Sequence, residues 1–187
     1  MRLDTAFFVN LLLIISLTAA GLAARCAKAE EPHPGCTEAA DRQTDERAFR
    51  YEQYFLRAHP EIDRIVSILW DEGLPAKWVY LMLIESGGKA DAASDEGAAG
   101  LWQLTAATAR AYGCTDRADT DQATRAAARY ISKLLKDFDG DEWKAIAAYN
   151  MGGRNLKKHG PTGEARALAD QVFCLFYKDP FFLDSME

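Results

Sequence analysis

Several patterns that mark common classes of protein are missing from this sequence. Its 187 residues include four cysteines, none in a C-x-x-C pair, so zinc-binding and thioredoxin-like motifs are absent. The three histidines, His33, His59 and His159, lie in predicted loops or turns without a partner pattern. Acidic residues outnumber Lys and Arg by 28 to 22, and the net charge of -6 argues against nucleic-acid binding. We therefore expect no metal, no other cofactor and no nucleic-acid partner.

The sequence also lacks a convincing strand pattern and any internal repeat. Instead, apolar residues recur at the spacing of a helix. For example, Ile62, Ile65, Val66 and Leu69 fall at i, i+3, i+4 and i+7. The fold class is therefore predicted to be all-α, or mostly α, with helices packed into one compact domain. Beside a buried central helix, the predicted helices cover residues 45–58, 60–73, 105–112, 120–138, 142–150 and 164–177, with a basic, turn-rich loop over 155–163.

The first 44 residues differ in composition from the rest of the chain. Arg2 precedes an uncharged apolar run over residues 5–24, and a small-x-small tripeptide follows at 27–29. This pattern predicts that residues 1–29 are a cleaved signal peptide or, alternatively, an uncleaved membrane anchor. The Pro-, Gly- and charge-rich residues 30–44 are predicted to be a linker, and 45–187 the folded domain.

Export would permit disulfide bonds between the four cysteines. Cys114 and Cys174 fall inside the predicted domain, whereas Cys26 and Cys36 precede it. We therefore expect Cys114 and Cys174 to be bonded to each other. The alternative is that Cys174, in an apolar helix, is a buried free thiol.

An apolar run without a polar face, Trp78 to Ile84, indicates a helix that is buried on all sides. Pro75 suits its first turn and Gly87-Gly88 its end, which places Glu85 and Ser86 in the last turn. Desolvation and the negative end of the helix dipole both favour the protonated form of a carboxyl group there. Such a carboxyl group can act as a general acid, although the alternative is an exposed residue that only solubilises the helix end.

Two segments further along the chain carry more candidate site residues. Trp102-Gln103 places an indole ring, whose face suits stacking on a sugar, beside an amide that can donate and accept hydrogen bonds. Tyr149-Asn150 offers a phenol that can donate to the carboxylate of Glu85, and a second amide. In isolation, an aromatic residue at helical spacing is more often part of the core. Ser86 has two alternatives: it caps the helix end or it contacts substrate.

These segments together resemble the motifs of a known family. Glu85-Ser86, a loop of the form A-x-S-x-x-G-A over residues 92–98, and Gly100-Leu101-Trp102-Gln103 are similar to the first motif of the lytic transglycosylases with a goose-lysozyme-like fold. Ala148-Tyr149-Asn150-Met151-Gly152 matches their second motif, A-Y-N-x-G. The resemblance covers roughly residues 60–178. One departure is Gly88-Lys89-Ala90, where the family usually carries an aromatic residue followed by Asn-Pro.

The resemblance implies a compact lysozyme-like helical domain that cleaves the β-1,4 bond between N-acetylmuramic acid and N-acetylglucosamine in peptidoglycan glycan strands. It implies that Glu85 acts first as acid and then as base, so that the product ends in a 1,6-anhydro ring. The predicted signal peptide implies a periplasmic location. Such an enzyme serves either general turnover of the cell wall or local openings for a secretion, conjugation or pilus apparatus as partner, and the small size of the chain, without extra wall-binding repeats, favours the second. The residues that the resemblance assigns to substrate binding are Ser86, Trp102, Gln103, Tyr149 and Asn150.

Two alternative functions remain at this point. Hydrolysis with water needs a second carboxylate, and the loop after Glu85 supplies Asp91 and Asp95. A chain of this fold can also be a non-catalytic glycan-binding scaffold, against which the intact Glu85 argues. The chemistry of the reducing ends of the products distinguishes hydrolysis from transglycosylation.

Overall fold

The computed structural model describes residues 44–178, and for 44–52, 59, 177 and 178 it describes the backbone alone. In this range the chain is mostly helical, as predicted. The signal or anchor segment (1–29) and, apart from Thr44, the linker (30–44) lie outside the described residues. The elements are α1 (Thr44–Asp71), a 3₁₀ turn (Ala76–Trp78), α2 (Val79–Ser86), β1 (Ala98–Ala99), β2 (Leu104–Thr105), α3 (Ala106–Ala111), α4 (Thr120–Asp137), α5 (Glu142–Met151), α6 (Gly153–His159) and α7 (Gly163–Lys178).

Helix α2 is the buried centre of this arrangement, as the apolar run predicts. It packs against α1 on one side and α7 on another, while α5 packs against α4, α6 and α7. Val79, Leu81 and Met82 have no exposed surface. Full burial of one such side chain stabilises the fold by about 1.5–3 kcal/mol, so α2 is held by packing and not by helix propensity.

The two glycines that follow α2 have different structural roles. Gly87 adopts a left-handed conformation, φ 61°, and its N–H donates to the Leu83 carbonyl at 2.9 Å. Gly88 also has a positive φ, and a Cβ atom there would lie 2.2 Å from the carbonyl oxygen of Tyr54 in α1. The second glycine is therefore required by the close approach of two backbones.

The starts of three helices are fixed by side-chain caps. Thr105 accepts a hydrogen bond from the Thr108 N–H at the start of α3. Asp119 and Asp141 accept from N–H groups in the first turns of α4 and α5, each at 2.9 Å. These caps fix where the long helix α4 and the motif-bearing helix α5 begin.

The prediction of two helices separated near Pro60 is wrong. α1 continues from Thr44 to Asp71 with Pro60 inside it. Proline has no N–H to donate, so the helix loses one backbone hydrogen bond at this position. Beyond the proline, Ile62, Ile65 and Leu69 are buried against the rest of the domain. This apolar stripe holds the second half of α1 in line, which a local reading of proline does not reveal.

Two further corrections concern the segments near the predicted motifs. The basic segment expected as a loop over 155–163 instead forms α6, Gly153–His159, anchored by the buried Leu156. The expectation of no strand misses a small antiparallel hairpin, in which Ala98 pairs with Thr105 and Ala99 with Leu104. Strands of two residues are too short to show an alternating pattern.

The predicted disulfide between Cys114 and Cys174 is also wrong. Cys114 is a buried free thiol in the loop between α3 and α4, and its Sγ donates to the Asp116 carbonyl at 3.2 Å. Burial raises the pKa of the Cys114 thiol. Cys174 in α7 is disulfide-bonded, with a partner outside the described residues. Both cysteines lie in the predicted domain, but the sequence does not show that the fold keeps Cys114 and Cys174 from pairing with each other.

Candidate active site

Glu85 lies in the last turn of α2, at the point where the apolar helix ends. Its side chain is half-buried, and no described residue donates a hydrogen bond to its carboxyl group. Removal of water, together with the negative charge of Glu164 in the first turn of α7, raises the pKa of Glu85 from 4.5 to about 7. A carboxyl group with this pKa exists in both protonated and ionised forms near neutral pH. It can therefore both give and take a proton there.

Ser86 is buried beside Glu85, and its hydroxyl group serves the end of the helix. The Oγ atom donates to the Met82 carbonyl at 3.0 Å and accepts from the Gly88 N–H at 3.2 Å. Of the two alternatives predicted for Ser86, these contacts favour the cap. The hydroxyl fixes the backbone that carries Glu85 and stays out of direct reach of a ligand in this structure.

The hairpin after α2 is closed by the side chain of Gln103. Gln103 has a positive φ of 44°, and its Nε2 donates to the carbonyls of Gly100 at 2.8 Å and Ala92 at 3.1 Å. These two bonds join the two sides of the loop. The Oε1 atom accepts no hydrogen bond from another described residue and is the part of the amide left for a ligand.

Trp102 does not present its ring for stacking on a sugar. Its side chain has no exposed surface, and its Nε1 donates to Thr124 Oγ1 of α4 at 2.9 Å. The expectation of a stacking indole is therefore wrong for this structure. The residue anchors the hairpin to α4 because a large apolar ring with one satisfied N–H is stable in the core.

Tyr149 links the second motif to the first, although not through the predicted bond. Its hydroxyl donates to the main-chain carbonyl of Trp102 at 2.7 Å, so its one proton is not directed at Glu85. Burial and, second, the negative charge of Glu85 raise the pKa of Tyr149 well above its ordinary value of 10, so the phenol and the carboxyl group interact electrostatically. A phenol oxygen that donates elsewhere can still accept a hydrogen bond from a protonated carboxyl group.

Three tyrosine rings form a continuous row that ends at Tyr149. The ring of Tyr130 lies 5.3 Å from that of Tyr149 and 5.3 Å from that of Tyr112, in tilted arrangements. Burial raises the pKa of Tyr130 to about 12, so the phenol stays neutral at physiological pH. The ring of Tyr130 packs against Tyr149. The row was not predicted because neighbouring rings in it come from residues 18 or more positions apart in the chain.

Asn150 ends up in a different environment from its neighbour. It is exposed on α5, and its side chain makes no hydrogen bond to another described residue.

The carboxylates of the loop after α2, which are Asp91, Asp95 and Glu96, are likewise exposed and have no side-chain partner among the described residues. Glu85 and Tyr149 are thus brought together, Ser86 and Trp102 support them, and the loop carboxylates are not held in place.

Arg117 supports the site, although nothing in the sequence pattern selects it. From the loop before α4, its Nη1 donates to the carbonyls of Gly97 at 2.7 Å and Leu104 at 2.9 Å. Its own carbonyl oxygen would lie 2.2 Å from a Cβ atom at Gly100. Arg117 therefore clamps the hairpin from one side. A lone arginine in an acidic loop has no local signal for this role, and the same is true of Glu164 near Glu85.

Two features are absent from the part of the chain that the structure describes. Within residues 44–178, no three His, Cys, Asp or Glu side chains come together as a metal-ion site would require. None of the helices in that range combines the length and the apolar character needed to cross a membrane.

Comparison with known proteins identifies the family. The sequence model described as the Transglycosylase SLT domain matches residues 70–171, which is more than half of the chain. A protein of Alteromonas sp. (strain M-1) named as a tributyltin chloride resistance protein is 41% identical over 54% of this chain and 52% of its own length. Membrane-bound lytic murein transglycosylase D of Escherichia coli (strain K12) is 33% identical over 64% of this chain and 28% of its own.

A solved structure agrees with these sequence matches. It is an inactive glutamate-to-glutamine mutant of lytic transglycosylase Slt from Pseudomonas aeruginosa, with a TM-score of 0.57 and 25% identity. The match covers 66% of this chain and 24% of that one, so this chain spans between a quarter and about half of the length of these relatives. The family model, the relatives and the shared fold lead to one conclusion: the chain belongs to the Transglycosylase SLT domain family.

Proposed function

We propose that this chain is a peptidoglycan lytic transglycosylase and that Glu85 is its catalytic acid and base. The observation that carries the proposal is the half-buried carboxyl group at the end of an apolar helix, with a pKa of about 7. One relative supports the substrate, and another supports a catalytic role for a glutamate. The Escherichia coli protein is named as a lytic murein transglycosylase, and a glutamate-to-glutamine change in the Pseudomonas aeruginosa enzyme gives an inactive mutant.

The proposed reaction uses one carboxyl group twice. Protonated Glu85 donates its proton to the oxygen that joins N-acetylmuramic acid to N-acetylglucosamine, and the bond from C1 to this oxygen breaks. The acetamido group of the muramic acid stabilises the cation that develops at C1. The C6 hydroxyl of the same sugar then attacks C1, and its proton returns to the Glu85 carboxylate. The product is a 1,6-anhydro ring, and the tethered nucleophile gains the advantage of an intramolecular reaction.

The remaining site residues divide into two groups in this proposal. Gln103, through its Oε1 atom, and the exposed Asn150 are the groups that bind the sugar. Ser86, Trp102 and Tyr149 position others: the hydroxyl of Ser86 holds the end of α2, and Tyr149 holds the Trp102 carbonyl. Neighbouring residues that are themselves held in place keep the carboxyl group of Glu85 in the position and orientation that catalysis needs.

Hydrolysis by a second carboxylate is the alternative, and the geometry gives it little support. Asp91 and Asp95 are exposed, and no described side chain holds either one in place. A nucleophile, or a base for water, has to be fixed opposite the acid. The negative charge of Glu164 acts on Glu85 electrostatically and raises its pKa.

Product analysis tests the proposal directly. Purified peptidoglycan is digested with the full chain, and the masses of the fragments are measured by mass spectrometry. We expect 1,6-anhydro-muramic acid ends, which are one water lighter than reducing ends. Glu85→Gln should remove nearly all cleavage, well beyond the roughly 10²–10⁴-fold of a single acid–base step, because one group serves both steps. Asp91→Asn and Asp95→Asn are the matched controls and should cost little. Reducing muramic acid ends, or full loss in either control, would establish hydrolysis instead.

The location and partners of the protein are part of the same proposal. We propose that residues 1–29 direct export to the periplasm, where peptidoglycan lies, and that 45–187 form the catalytic domain. A secretion, conjugation or pilus apparatus is the proposed partner, because such machines need local openings in the wall. N-terminal sequencing of the protein recovered from the periplasm tests export, and an unprocessed product confined to the cytosol would contradict it.

A further inference from the structure

The bond states of Cys114 and Cys174 leave two candidates for the partner of Cys174. Cys114 is a free thiol, whereas Cys174 is disulfide-bonded. The other two cysteines of the sequence are Cys26 and Cys36, and both precede α1. Since Cys114 is excluded, Cys174 is bonded to one of these two. The bond therefore joins the last described helix, α7, to the part of the chain before the first.

Cys174 lies on the outer side of α7. Val172 and Phe176, two residues before it and two after it, are buried, whereas Cys174 is partly exposed. Two residues of an α-helix correspond to a rotation of about 200°, so Cys174 points away from the side of α7 that packs into the core. On that inner side, the centroid of the Phe176 ring lies 5.1 Å from that of Trp78, just before α2. Cys174 is therefore accessible to a segment that runs over the surface of the domain.

Two features of the chain favour Cys36 over Cys26. Residues 32–187 form one compact unit, so Cys36 belongs to the same unit as Cys174 and Cys26 does not. Cys26 also lies in the predicted signal peptide, residues 1–29, and removal of this peptide takes it out of the mature protein. The second feature rests on the proposed function, which places the protein in the periplasm, whereas the first does not.

We propose that Cys36 and Cys174 form a disulfide bond, and that this bond makes the stability of the domain depend on an oxidising compartment. When the bond forms, the two thiols lose two protons and two electrons. A disulfide of a thiol–disulfide oxidase accepts them and becomes a dithiol. A cross-link across a loop of roughly 140 residues restricts the unfolded chain and so stabilises the folded state. Such a bond persists in the periplasm and is reduced in the cytosol.

Burial keeps Cys114 out of this chemistry. Its side chain is buried, its Sγ donates to the Asp116 carbonyl, and burial raises the pKa of its thiol. The thiolate is the form that attacks a disulfide bond, so Cys114 does not exchange with the bond of Cys174 in the folded domain. The third cysteine of the mature protein therefore leaves the pairing of the other two unchanged.

Peptide mapping identifies the partner, because trypsin separates the four cysteines into four different peptides. Two samples are alkylated without reduction, digested and measured by mass spectrometry: protein recovered from the periplasm, and purified full chain treated with oxidised glutathione. We expect the peptides of Cys36 and Cys174 to be joined, two hydrogens lighter than their sum, and Cys114 to be alkylated. A joined pair that contains Cys26 or Cys114, or an alkylated Cys174, in either sample would overturn the inference.

The same digest separates this inference from the proposed function. Its N-terminal peptide shows whether residues 1–29 have been removed. Retained residues 1–29 together with a bond between Cys36 and Cys174 would contradict the proposed export and leave the inference intact. The chemistry proposed for Glu85 is tested by the products of digestion, on which the cysteine mapping does not depend.

Urea unfolding of the oxidised chain tests the dependence on oxidation. Cys36→Ser and Cys174→Ser should each lower the urea midpoint by roughly 1–2 M, and the double variant no further, because each change removes the same bond. Reductant should lower the midpoint of the unaltered chain by a similar amount and leave these variants unchanged. Cys26→Ser and Cys114→Ser are the matched controls, and both should keep the full response to reductant. Additive losses in the double variant, or an unaltered chain that does not respond to reductant, would refute the proposed dependence.

Discussion

Glu85→Gln should make the protein more stable at alkaline pH while removing its activity. The folded-state pKa of Glu85 is about 7, compared with an ordinary value of 4.5. Below pH 4.5 the carboxyl group is protonated in both the folded and unfolded states and costs nothing extra. As the pH rises from 4.5 through 7, the unfolded state ionises first, and the folded state loses stability. A gap of about 2.5 pH units at about 1.4 kcal/mol each corresponds to roughly 3 kcal/mol. Glutamine carries no such cost.

The free energy of unfolding, measured in urea at about pH 4 and about pH 8, checks this reasoning. The difference between Glu85→Gln and the unaltered chain should be near zero at the lower pH and roughly 3 kcal/mol in favour of the variant at the higher one. Glu96→Gln is the control, because Glu96 is exposed and makes no side-chain contact with described residues. A difference that does not change with pH would show that the carboxyl group is not held in a dry environment.

Three other outcomes follow from contacts around the site. Glu164→Gln removes a negative charge that raises the pKa of Glu85, so the alkaline limb of the kcat–pH profile should move to lower pH; an unmoved limb would contradict this. Arg117→Met should speed hydrogen exchange in the hairpin and raise KM more than it lowers kcat, and Arg117→Lys should restore only part of the loss. Gly100→Ala should cost roughly 3–4 kcal/mol in thermal unfolding, but Gly97→Ala only roughly 1–2, because both have positive φ and a Cβ meets a backbone oxygen only at Gly100.

The parts of the fold that the sequence predicts well are those set by local chemistry. The apolar run of α2 required burial, and Gly87 supplied the left-handed stop. Each of these signals lies within a few residues of the structure that it causes. Pro60 and the segment around Leu156 were predicted wrongly, because burial against distant elements decided their conformation.

The candidate site shows the same limit more clearly. Glu85 was selected by its position at the end of a buried helix, and the direction of its pKa shift follows from that position. The hydrogen-bond partner of Tyr149 and the clamp by Arg117 could not be predicted, since each joins residues brought together by the whole fold. The cysteine pairing failed for the same reason. Motif spacing identifies which residues meet, but not which atom of each makes the contact.

The hydrogen bond from Tyr149 to the Trp102 carbonyl joins residues 47 positions apart in the chain. A contact of that separation has to close a long loop, so it forms only after α5 has docked against the elements before it. A chain that ends between these residues therefore lacks the neighbour that completes the surroundings of Glu85. The same holds for a chain that is still unfolded, in which the acid is hydrated and has an ordinary pKa. Under the proposed function, the activity of Glu85 is therefore coupled to the completion of folding, because its carboxyl group acquires the raised pKa only in the folded domain.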